Sequence, residues 1–268
     1  MKITIFTSNQ IRHLSFIRKL SNIADECFAI IESNTLFPGI KEDFFKNSLQ
    51  MQNYFRNVIE AENKIFKKDF FLGSNTKTLS ARMGDLNNFD KKDLKFALNS
   101  DIYIIFGSSY IRGWLVDFLV KKKAINIHMG LSPYYRGSSC NFWAAYQENF
   151  HLIGATIHLL SKGLDSGQIL YHVLPKTENC ENCFEFSMSA VRDAQDSLIE
   201  NIKKDRLLKY KPCIQKKSNE ISYTKNKDFN DTVVMDFLNN QPSIEYIQKS
   251  IKKNYNKNLY LNKYNKYL

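Results

Sequence analysis

Residues 101–106, DIYIIF, form an almost wholly apolar run, and this run constrains the fold more than any other segment. A strand with apolar residues at successive positions is buried on both faces, as strands are in a parallel sheet covered by helices. Gly107, Ser108 and Ser109 end the run, and a helical pattern follows over residues 110–120. The run therefore predicts a central strand of an α/β sheet.

The other segments of the first 130 residues repeat this alternation of strand and helix. Strand patterns occupy residues 2–6, 27–31, 76–81 and 124–128, and helical patterns occupy residues 10–22, 42–68 and 91–98. This order predicts a doubly wound α/β domain, with a mostly parallel sheet and helices on both faces. Ligands of such domains bind beyond the carboxyl ends of the strands.

The second half of the chain predicts the end of this domain. We expect a short helix over residues 139–147, two strands over 154–160 and 167–174, and a long amphipathic helix over 184–208. Pro212 marks the end of that helix, so we place a domain boundary there, with a domain at 1–212 and a basic extension at 213–268. Beyond residue 215 the pattern weakens, with a strand or a loop over 221–231 and a short helix over 232–238.

Polar residues that carry chemistry gather around the strand at 124–128. Asn126 and His128 are two residues apart, so on a strand they project from the same face. The turn 162–167, KGLDSG, follows the next strand and could return Asp165 toward the histidine. A histidine that moves a proton, a carboxylate that orients it and an amide that donates to an oxyanion suit acyl transfer. On spacing alone a purely structural histidine stays open, and we interpret His158 as structural.

A second group of polar residues lies where the first strand meets the first helix. Ser8, Asn9, Arg12 and His13 surround that helix start, where backbone N–H groups favour an anion such as phosphate. The segment has no G-x-G-x-x-G pattern, so a dinucleotide site is not supported. The alternative is that Arg12 and His13 are surface residues of the first turn.

The net charge of +11 raises the question of a nucleic-acid partner. Residues 203–268 hold 15 Lys or Arg and 6 Asp or Glu, which is a surplus of nine, so the charge is concentrated at the C-terminal end. This distribution favours a solvated basic surface, and a phosphate-attracting surface is the alternative.

The sequence also indicates the compartment. No apolar run approaches the roughly 20 residues that span a bilayer, and the start, MKITIFTSNQ, has too short an apolar region for a signal peptide. The five cysteines are an odd number, which argues against a disulfide framework, and the pair Cys180 and Cys183 lacks the further ligands of a zinc site. We expect a cytoplasmic protein without a membrane partner or a bound metal.

Taken together, Asn126-x-His128, the loop LSPYYRG at 131–137 and the turn GLDSG at 163–167 resemble the folate-dependent formyltransferases. That family includes methionyl-tRNA formyltransferase, glycinamide ribonucleotide formyltransferase and the N-formyltransferases of nucleotide-linked amino sugars. The resemblance covers residues 100–175 in the right order. One departure is Gly130, which stands beside this loop where many members have serine.

The resemblance implies a formyltransferase-type, Rossmann-like fold and 10-formyltetrahydrofolate as the formyl donor. Asn126, His128 and Asp165 stand at the positions of the catalytic triad of the family. The loop formed by Phe106, Gly107, Ser108, Ser109, Tyr110 and Ile111 would hold the pterin, with Gly137 as a further donor contact. Ser8, Asn9, Arg12, His13 and Arg136 would contact the acceptor. No metal is implied.

The acceptor implied most strongly is a nucleotide-linked amino sugar formylated for a surface glycan, such as an activated nonulosonic acid of the pseudaminic acid type. The residues after 215 do not show the strands of the extra β-barrel of the tRNA enzyme. A tRNA formyltransferase with a reduced C-terminal region and a catalytically silent binding module remain alternatives. The aromatic segment 42–68 and the basic extension are candidate surfaces for a homodimer.

Overall fold

A computed structural model describes residues 1–40, 45 and 47–254 of the chain. Its centre is a seven-stranded sheet with the order β3-β2-β1-β4-β5-β7-β8. The strands are β1 Lys2–Ser8, β2 Glu26–Ser33, β3 Thr76–Arg82, β4 Ile102–Phe106, β5 Ile125–His128, β7 Ala155–Leu159 and β8 Ile169–Val173. β1 to β5 pair in parallel, whereas β7 and β8 are antiparallel. A separate two-stranded ribbon joins β6 Tyr135–Gly137 to β9 Ser222–Thr224.

Seven α-helices are present in the described residues. They are α1 Ile11–Ser21, α2 Leu49–Phe66, α3 Gly113–Lys121, α4 Cys140–Tyr146, α5 Cys183–Lys203, α6 Asp231–Asn239 and α7 Ile244–Asn254. α2 and α5 begin with side-chain caps, because Ser48 accepts the N–H of Met51 and Asn182 accepts that of Glu185. None of the helices in the described part of the chain combines the length and hydropathy needed to span a bilayer.

The sheet is covered on both faces, as the apolar run at 101–106 predicts. Successive residues of that run alternate between two buried clusters, with Tyr103 and Ile105 in one and Ile104 and Phe106 in the other. The first cluster lies against α3, and the second lies against α1, α2, α4, α5 and α6. Burial of both faces stabilises the parallel strands and leaves their carboxyl ends as the place where polar groups meet.

Residues 213–254 pack onto the sheet domain. Cys213 and Ile169 exchange backbone hydrogen bonds of 2.8 Å in both directions. β9 pairs with β6, and Phe229 and Phe237 of the following segment are buried against Tyr54 and Phe142. Segment 213–254 is thus joined to the rest of the chain by strand pairing and by an aromatic core.

Several sequence-based boundaries differ from the structure. Residues 91–98 form consecutive turns and not the predicted helix. The N–H groups of Lys95 and Asn99 donate to the carbonyls three residues before them, whereas that of Leu98 donates to the carbonyl four residues before it. α3 begins at Gly113 and not at residue 110, and α7 was not predicted. The predicted helix 42–68 appears as α2; residues 42–44 and 46 of that prediction lie outside the described residues.

Candidate active site

Asn126 and His128 occupy the carboxyl end of β5, in the middle of the sheet. The parallel strand β4 lies on one side of β5, and the antiparallel strand β7 lies on the other. Thr156 of β7, opposite His128, accepts the N–H of Ser132 at 2.8 Å and donates to the carbonyl of Gly130 at 2.6 Å. The loop that leaves β5 is therefore fixed directly beside the two polar side chains.

His128 forms an ion pair with Asp165, as the turn at 162–167 predicts. The distance from Nδ1 of His128 to Oδ1 of Asp165 is 3.4 Å, and the side chains are 7% and 13% exposed. Nε2 of His128 donates to the backbone carbonyl of Tyr135 at 3.2 Å. Both ring nitrogens thus face groups that accept hydrogen bonds, which favours the doubly protonated imidazolium.

The pKa values of this pair shift in the directions that the geometry requires. Burial opposes the charged form of His128, but the carboxylate of Asp165 and the sulfur of Cys140 outweigh it and raise the pKa of His128 well above its ordinary value. Burial likewise opposes ionisation of Asp165, but the charge of His128 lowers the pKa of Asp165 below its ordinary value. Both shifts favour an imidazolium that faces a carboxylate.

Asn126 is held by His158, which lies directly opposite it on β7. Nδ1 of His158 is 2.8 Å from the carbonyl oxygen of Leu159, which can only accept, so Nδ1 carries the proton. Nε2 of the neutral ring is then an acceptor, and it lies 2.9 Å from Nδ2 of Asn126. The amide therefore presents one N–H to His158 and keeps its second N–H for another acceptor.

Burial keeps His158 neutral. The side chain is fully enclosed, and this desolvation lowers the pKa of His158 to about 4. Gly167 packs so closely behind the ring that a Cβ there would lie 2.8 Å from Nδ1 of His158 and 1.7 Å from the carbonyl oxygen of Leu159. The register between β7 and β8 also shifts at His158, and such irregularities often re-aim a side chain next to a site.

Cys140 is a further neighbour of His128. A Cβ at Gly130 would lie 2.8 Å from Nε2 of His128 and 3.2 Å from Sγ of Cys140, so both atoms border the same small space. Cys140 opens α4 and its thiol donates to the carbonyl of Gly137 at 3.5 Å. This crowding gives a physical reason for glycine at position 130, where the related motif often has serine.

A cavity of about 340 Å³ adjoins His128 and Cys140. Aromatic rings dominate its wall, with Tyr54, Phe55, Phe142, Phe184, Phe229 and Phe237 from α2, α4, α5, α6 and the loop before α6. Arg12 and His128 supply the charged groups of its described lining. A mostly apolar cavity that ends at a buried ion pair can hold a small molecule and aim one of its atoms at His128.

The predicted anion site at the start of α1 is occupied by a carboxylate of the chain itself. Oε1 of Glu62, on α2, accepts the backbone N–H of Arg12 at 2.8 Å and its Nη1 at 3.0 Å. Ser8 donates to the carbonyl of Glu32, and Asn9 exchanges hydrogen bonds with the backbone of Asn34.

The remaining predicted acceptor residues also have partners in the protein. His13 is 3% exposed and packs on Phe106 with ring centroids 4.8 Å apart. Arg136 donates to the carboxylate of Glu220 at 3.1 Å and to the carbonyl of Leu164 at 3.0 Å. Arg12 lines the cavity, and the roles of all five residues as acceptor contacts remain predictions.

The predicted donor loop is fixed from behind by Glu32, at the end of β2. Its carboxylate is 0% exposed and accepts hydrogen bonds from the backbone N–H groups of Gly84 and Leu86 and from both the N–H and the hydroxyl of Ser109. The side chain of Asn87 adds two hydrogen bonds to the same loop, since its Nδ2 donates to the carbonyl of Tyr110 and its Oδ1 accepts the N–H of Arg112.

The donor loop stands at the carboxyl end of β4, with Phe106 and Ile111 buried and Gly107 and Tyr110 exposed. Gly107 has a φ of 75°, and a Cβ there would lie 2.5 Å from Nε2 of His13, so the close approach requires glycine. Tyr110 donates its hydroxyl to the carbonyl of Lys162, which connects the loop to the turn that carries Asp165.

Gly137 lies apart from that loop, on β6, where a Cβ would be 2.0 Å from the carbonyl oxygen of Thr224. The pairing of β6 with β9 explains this glycine, and it borders the cavity beside His128. Its predicted role as a donor contact remains untested.

Sequence reasoning missed three polar residues of the site, which are His158, Cys140 and Glu32. His158 lies on a predicted strand that could pair with β5, which is the signal that could have found it. The sequence does not give the register of that pairing, so it does not show that His158 lies opposite Asn126. Glu32 and Cys140 reach the site through the fold, without a local pattern. The described residues contain no group of three or more His, Cys, Asp or Glu side chains arranged to hold a metal ion.

Comparison with known proteins relates the stretch that carries this site to a protein family. Residues 97–199 match the sequence model of a family described as formyl transferase, and this stretch includes Asn126, His128 and Asp165. A methionyl-tRNA formyltransferase of Gloeothece citriformis is 24% identical over 139 residues, which are 47% of this chain and 41% of that protein. The chain thus matches less than half of the length of this curated relative.

Two solved structures are similar over most of the chain. A 4-N formyltransferase of Francisella tularensis has a TM-score of 0.52 at 19% identity, covering 85% of this chain and 77% of that one. The formyltransferase PseJ of Anoxybacillus kamchatkensis, in complex with UDP-4,6-dideoxy-4-formamido-L-AltNAc and tetrahydrofolate, has a TM-score of 0.50 at 19% identity, covering 94% and 99%. The chain therefore has the fold of these formyltransferases, and the stretch that matches the formyl transferase family, residues 97–199, carries the candidate site.

Proposed function

We propose that this protein is an N-formyltransferase that moves a formyl group from 10-formyltetrahydrofolate to the primary amine of a nucleotide-linked amino sugar. The observation that carries the proposal is the buried pair of His128 and Asp165, 3.4 Å apart, beside an oriented Asn126 within the stretch that matches the formyl transferase family. These groups form a cluster of hydrogen-bond donors with a positive charge, which is what a developing oxyanion requires.

The loop at 107–112 suits a planar folate ring. Its backbone is held by Glu32 and Asn87 through the N–H groups of Ser109 and Arg112 and the carbonyl of Tyr110, so the loop is already positioned before a ligand binds. The exposed ring of Tyr110 reaches the carbonyl of Lys162 and forms one side of the space between this loop and the Asp165 turn. The folate supplies an activated formyl group, and all other contributions come from residues of the chain.

In this proposal the positive charge of the site acts on the formyl oxygen. The second N–H of Asn126 donates to that oxygen as the amine bonds to the formyl carbon and negative charge develops, and the Nε2–H of His128 exchanges the carbonyl of Tyr135 for the same oxygen. Asp165 keeps His128 charged and oriented. Loss of one such donor typically lowers kcat about 10²–10³-fold, or about 2.7–4 kcal/mol.

The proton balance of the reaction defines which protons His128 has to give and to take. The reaction forms one N–C bond, breaks another and moves one proton from the amine to the departing folate nitrogen. His128 enters already protonated, because its pKa is raised by Asp165 and Cys140 against the effect of burial. It can therefore give its proton to the departing nitrogen and take the proton of the amine back, and it acts first as an acid and then as a base.

The cavity beside His128 favours a small acceptor. Its volume is about 340 Å³, and its wall is mostly aromatic. Large substrates such as tRNA would meet the surface of the protein and present only a terminal group to such a space. The solved structures with this fold include proteins described as sugar N-formyltransferases, among them one of Shewanella with a TM-score of 0.52 at 16% identity. This supports an amino sugar as the acceptor.

The proposal is tested with purified protein, 10-formyltetrahydrofolate and substitutions of the two donors. Asn126→Ala and His128→Ala are expected to bind the folate with unchanged affinity and to lose turnover. Measurement of tetrahydrofolate release gives turnover, and quenching of intrinsic fluorescence gives folate affinity. Full activity of His128→Ala together with tight folate binding would refute the role of the imidazolium.

A further inference from the structure

The turn that carries Asp165 has a backbone conformation that needs support. Asp165 has a φ of 45°, in the left-handed region that residues with a side chain rarely adopt. Aspartate tolerates this region better than most residues, but a strained position persists only where surrounding contacts determine it. Two of the residues that support this turn lie in the segment after residue 212: Gln215 contacts it directly, and Glu220 acts on it through Arg136.

Gln215 is the first of these contacts. Its side-chain amide donates to the carbonyl of Asp165 at 2.7 Å and to the carbonyl of Gly167 at 2.8 Å. Both partners are carbonyl oxygens, which only accept, so the orientation of the amide is settled. The backbone bonds between Cys213 and Ile169 place Gln215 beside the turn.

Arg136 and Glu220 form the second contact. The guanidinium of Arg136 donates to the carbonyl of Leu164 at 3.0 Å and to the carboxylate of Glu220 at 3.1 Å. Their side chains are only 19% and 21% exposed, so solvent competes weakly with these bonds. The pairing of β9 with β6 and the N–H of Ile221 on the carbonyl of Tyr134 fix Glu220 in place.

We propose that residues 213–224 are a brace that completes the active site, with Gln215 and Glu220 as positioning residues that hold the carboxylate of Asp165 against His128. Gln215 holds the carbonyls of Asp165 and Gly167. Glu220 holds Arg136, which in turn donates to the carbonyl of Leu164. This inference deepens the proposed function and rests on it for its effect on turnover. Its structural part, the position of Asp165, is independent of any substrate.

The titration of His128 reports that position directly. The titratable groups that face His128 are Asp165 and Cys140, and His158 lies nearby on β7; Arg136 faces Asp165. If the Asp165 turn relaxes, the carboxylate recedes and the imidazolium loses its principal partner. A substitution that only lowers overall stability leaves this titration unchanged.

The experiment uses the full chain with Gln215→Met, which keeps the length of the side chain and removes both N–H groups. Glu220→Gln is the second variant, and Gln241→Met, an exposed glutamine far along the chain, is the matched control. The resonance of His128 in each variant is followed by NMR as a function of pH, with Asp165→Asn as the reference for full loss of the partner. Steady-state kcat and the KM of each substrate are measured in parallel.

We expect the midpoint of His128 in Gln215→Met to move toward that of Asp165→Asn, and Gln241→Met to match the wild type. Loss of two neutral hydrogen bonds corresponds to about a tenfold lower kcat with KM unchanged. Glu220→Gln should move both quantities in the same direction and by less. A wild-type midpoint in both brace variants would overturn the inference, even if turnover fell. Absence of formyl transfer in every protein, with the midpoint shifted, would refute the proposed function and leave the brace intact.

Discussion

Replacement of His158 by leucine tests whether the orientation of Asn126 matters for catalysis. Leucine fills a similar volume but offers no acceptor to Nδ2 of Asn126, which now lies 2.9 Å from Nε2 of His158. The amide would then rotate between two orientations, and only one of them directs an N–H toward the reacting oxygen. We expect kcat to fall and the KM values for donor and acceptor to stay near those of the wild type.

The structure bounds the magnitude of this effect. The lower bound is one neutral hydrogen bond, of about 0.5–1.5 kcal/mol, or roughly 2- to 13-fold in kcat. The upper bound is complete loss of an oxyanion donor, about 10²–10³-fold, which is the effect expected of Asn126→Ala. Because His158 acts only through Asn126, the substitution should add little in the Asn126→Ala background, where the coupling energy measures their interaction.

The assay is tetrahydrofolate release under saturating donor and acceptor, with thermal unfolding measured on each variant. His158→Gln is the rescue variant, because its side-chain oxygen can accept from Asn126. His151→Leu, in the helical turn before β7, controls for the generic loss of an imidazole. Equal losses of kcat from His158→Leu in the wild-type and Asn126→Ala backgrounds would refute the coupling, as would failure of His158→Gln to restore any activity.

Four further predictions follow from the same contacts. The NMR midpoint of His128 should lie above its ordinary value of about 6.5 and fall in Asp165→Asn, while that of His158 lies near 4. Since the pKa of His128 is raised on folding, the contribution of His128 to the free energy of unfolding should be full below about pH 6.5 and be lost as pH rises through the midpoint of the folded protein. Urea denaturation at a series of pH values measures this contribution, and a constant free energy of unfolding over that window would contradict it. Glu32→Gln should weaken folate binding and increase hydrogen exchange at 107–112, since an amide cannot accept all four bonds; unchanged exchange would disprove this role. Gly167→Ala should destabilise the fold by about 1–3 kcal/mol, because its Cβ would lie 1.7 Å from a carbonyl oxygen, and a wild-type melting temperature would contradict that contact.

The sequence predicts the sheet well where burial on both faces dictates composition. The run at 101–106 becomes β4, and the strand patterns at 27–31 and 124–128 become β2 and β5. The segment 91–98 was predicted wrongly as a helix, although Leu94 and Ala97 are buried as its spacing indicates. Its first turn is held by the carboxylate of Asp90 on the N–H groups of Lys92 and Asp93, which local propensity does not reveal.

The residues of the candidate site also fall into those that the sequence predicts and those that it does not. The spacing of Asn126 and His128 predicts their placement, and the motif resemblance adds Asp165, because short-range patterns encode strand faces and turns. The partners that set their behaviour come from distant segments. Glu62 is 50 residues from Arg12 and accepts its backbone N–H, and Gln215 is 50 residues from Asp165 and donates to its carbonyl. Such contacts depend on tertiary packing, so no local pattern contains them.

Formyl transfer to an amino sugar is tested most directly by one coupled assay. Purified protein is mixed with 10-formyltetrahydrofolate and either a panel of nucleotide-linked amino sugars or charged initiator tRNA, and tetrahydrofolate release is followed, with His128→Ala as the blank. The account predicts turnover with at least one sugar nucleotide, none with tRNA and none in the blank. Turnover with tRNA alone would contradict the small acceptor, and release of tetrahydrofolate that is independent of any amine would contradict formyl transfer itself.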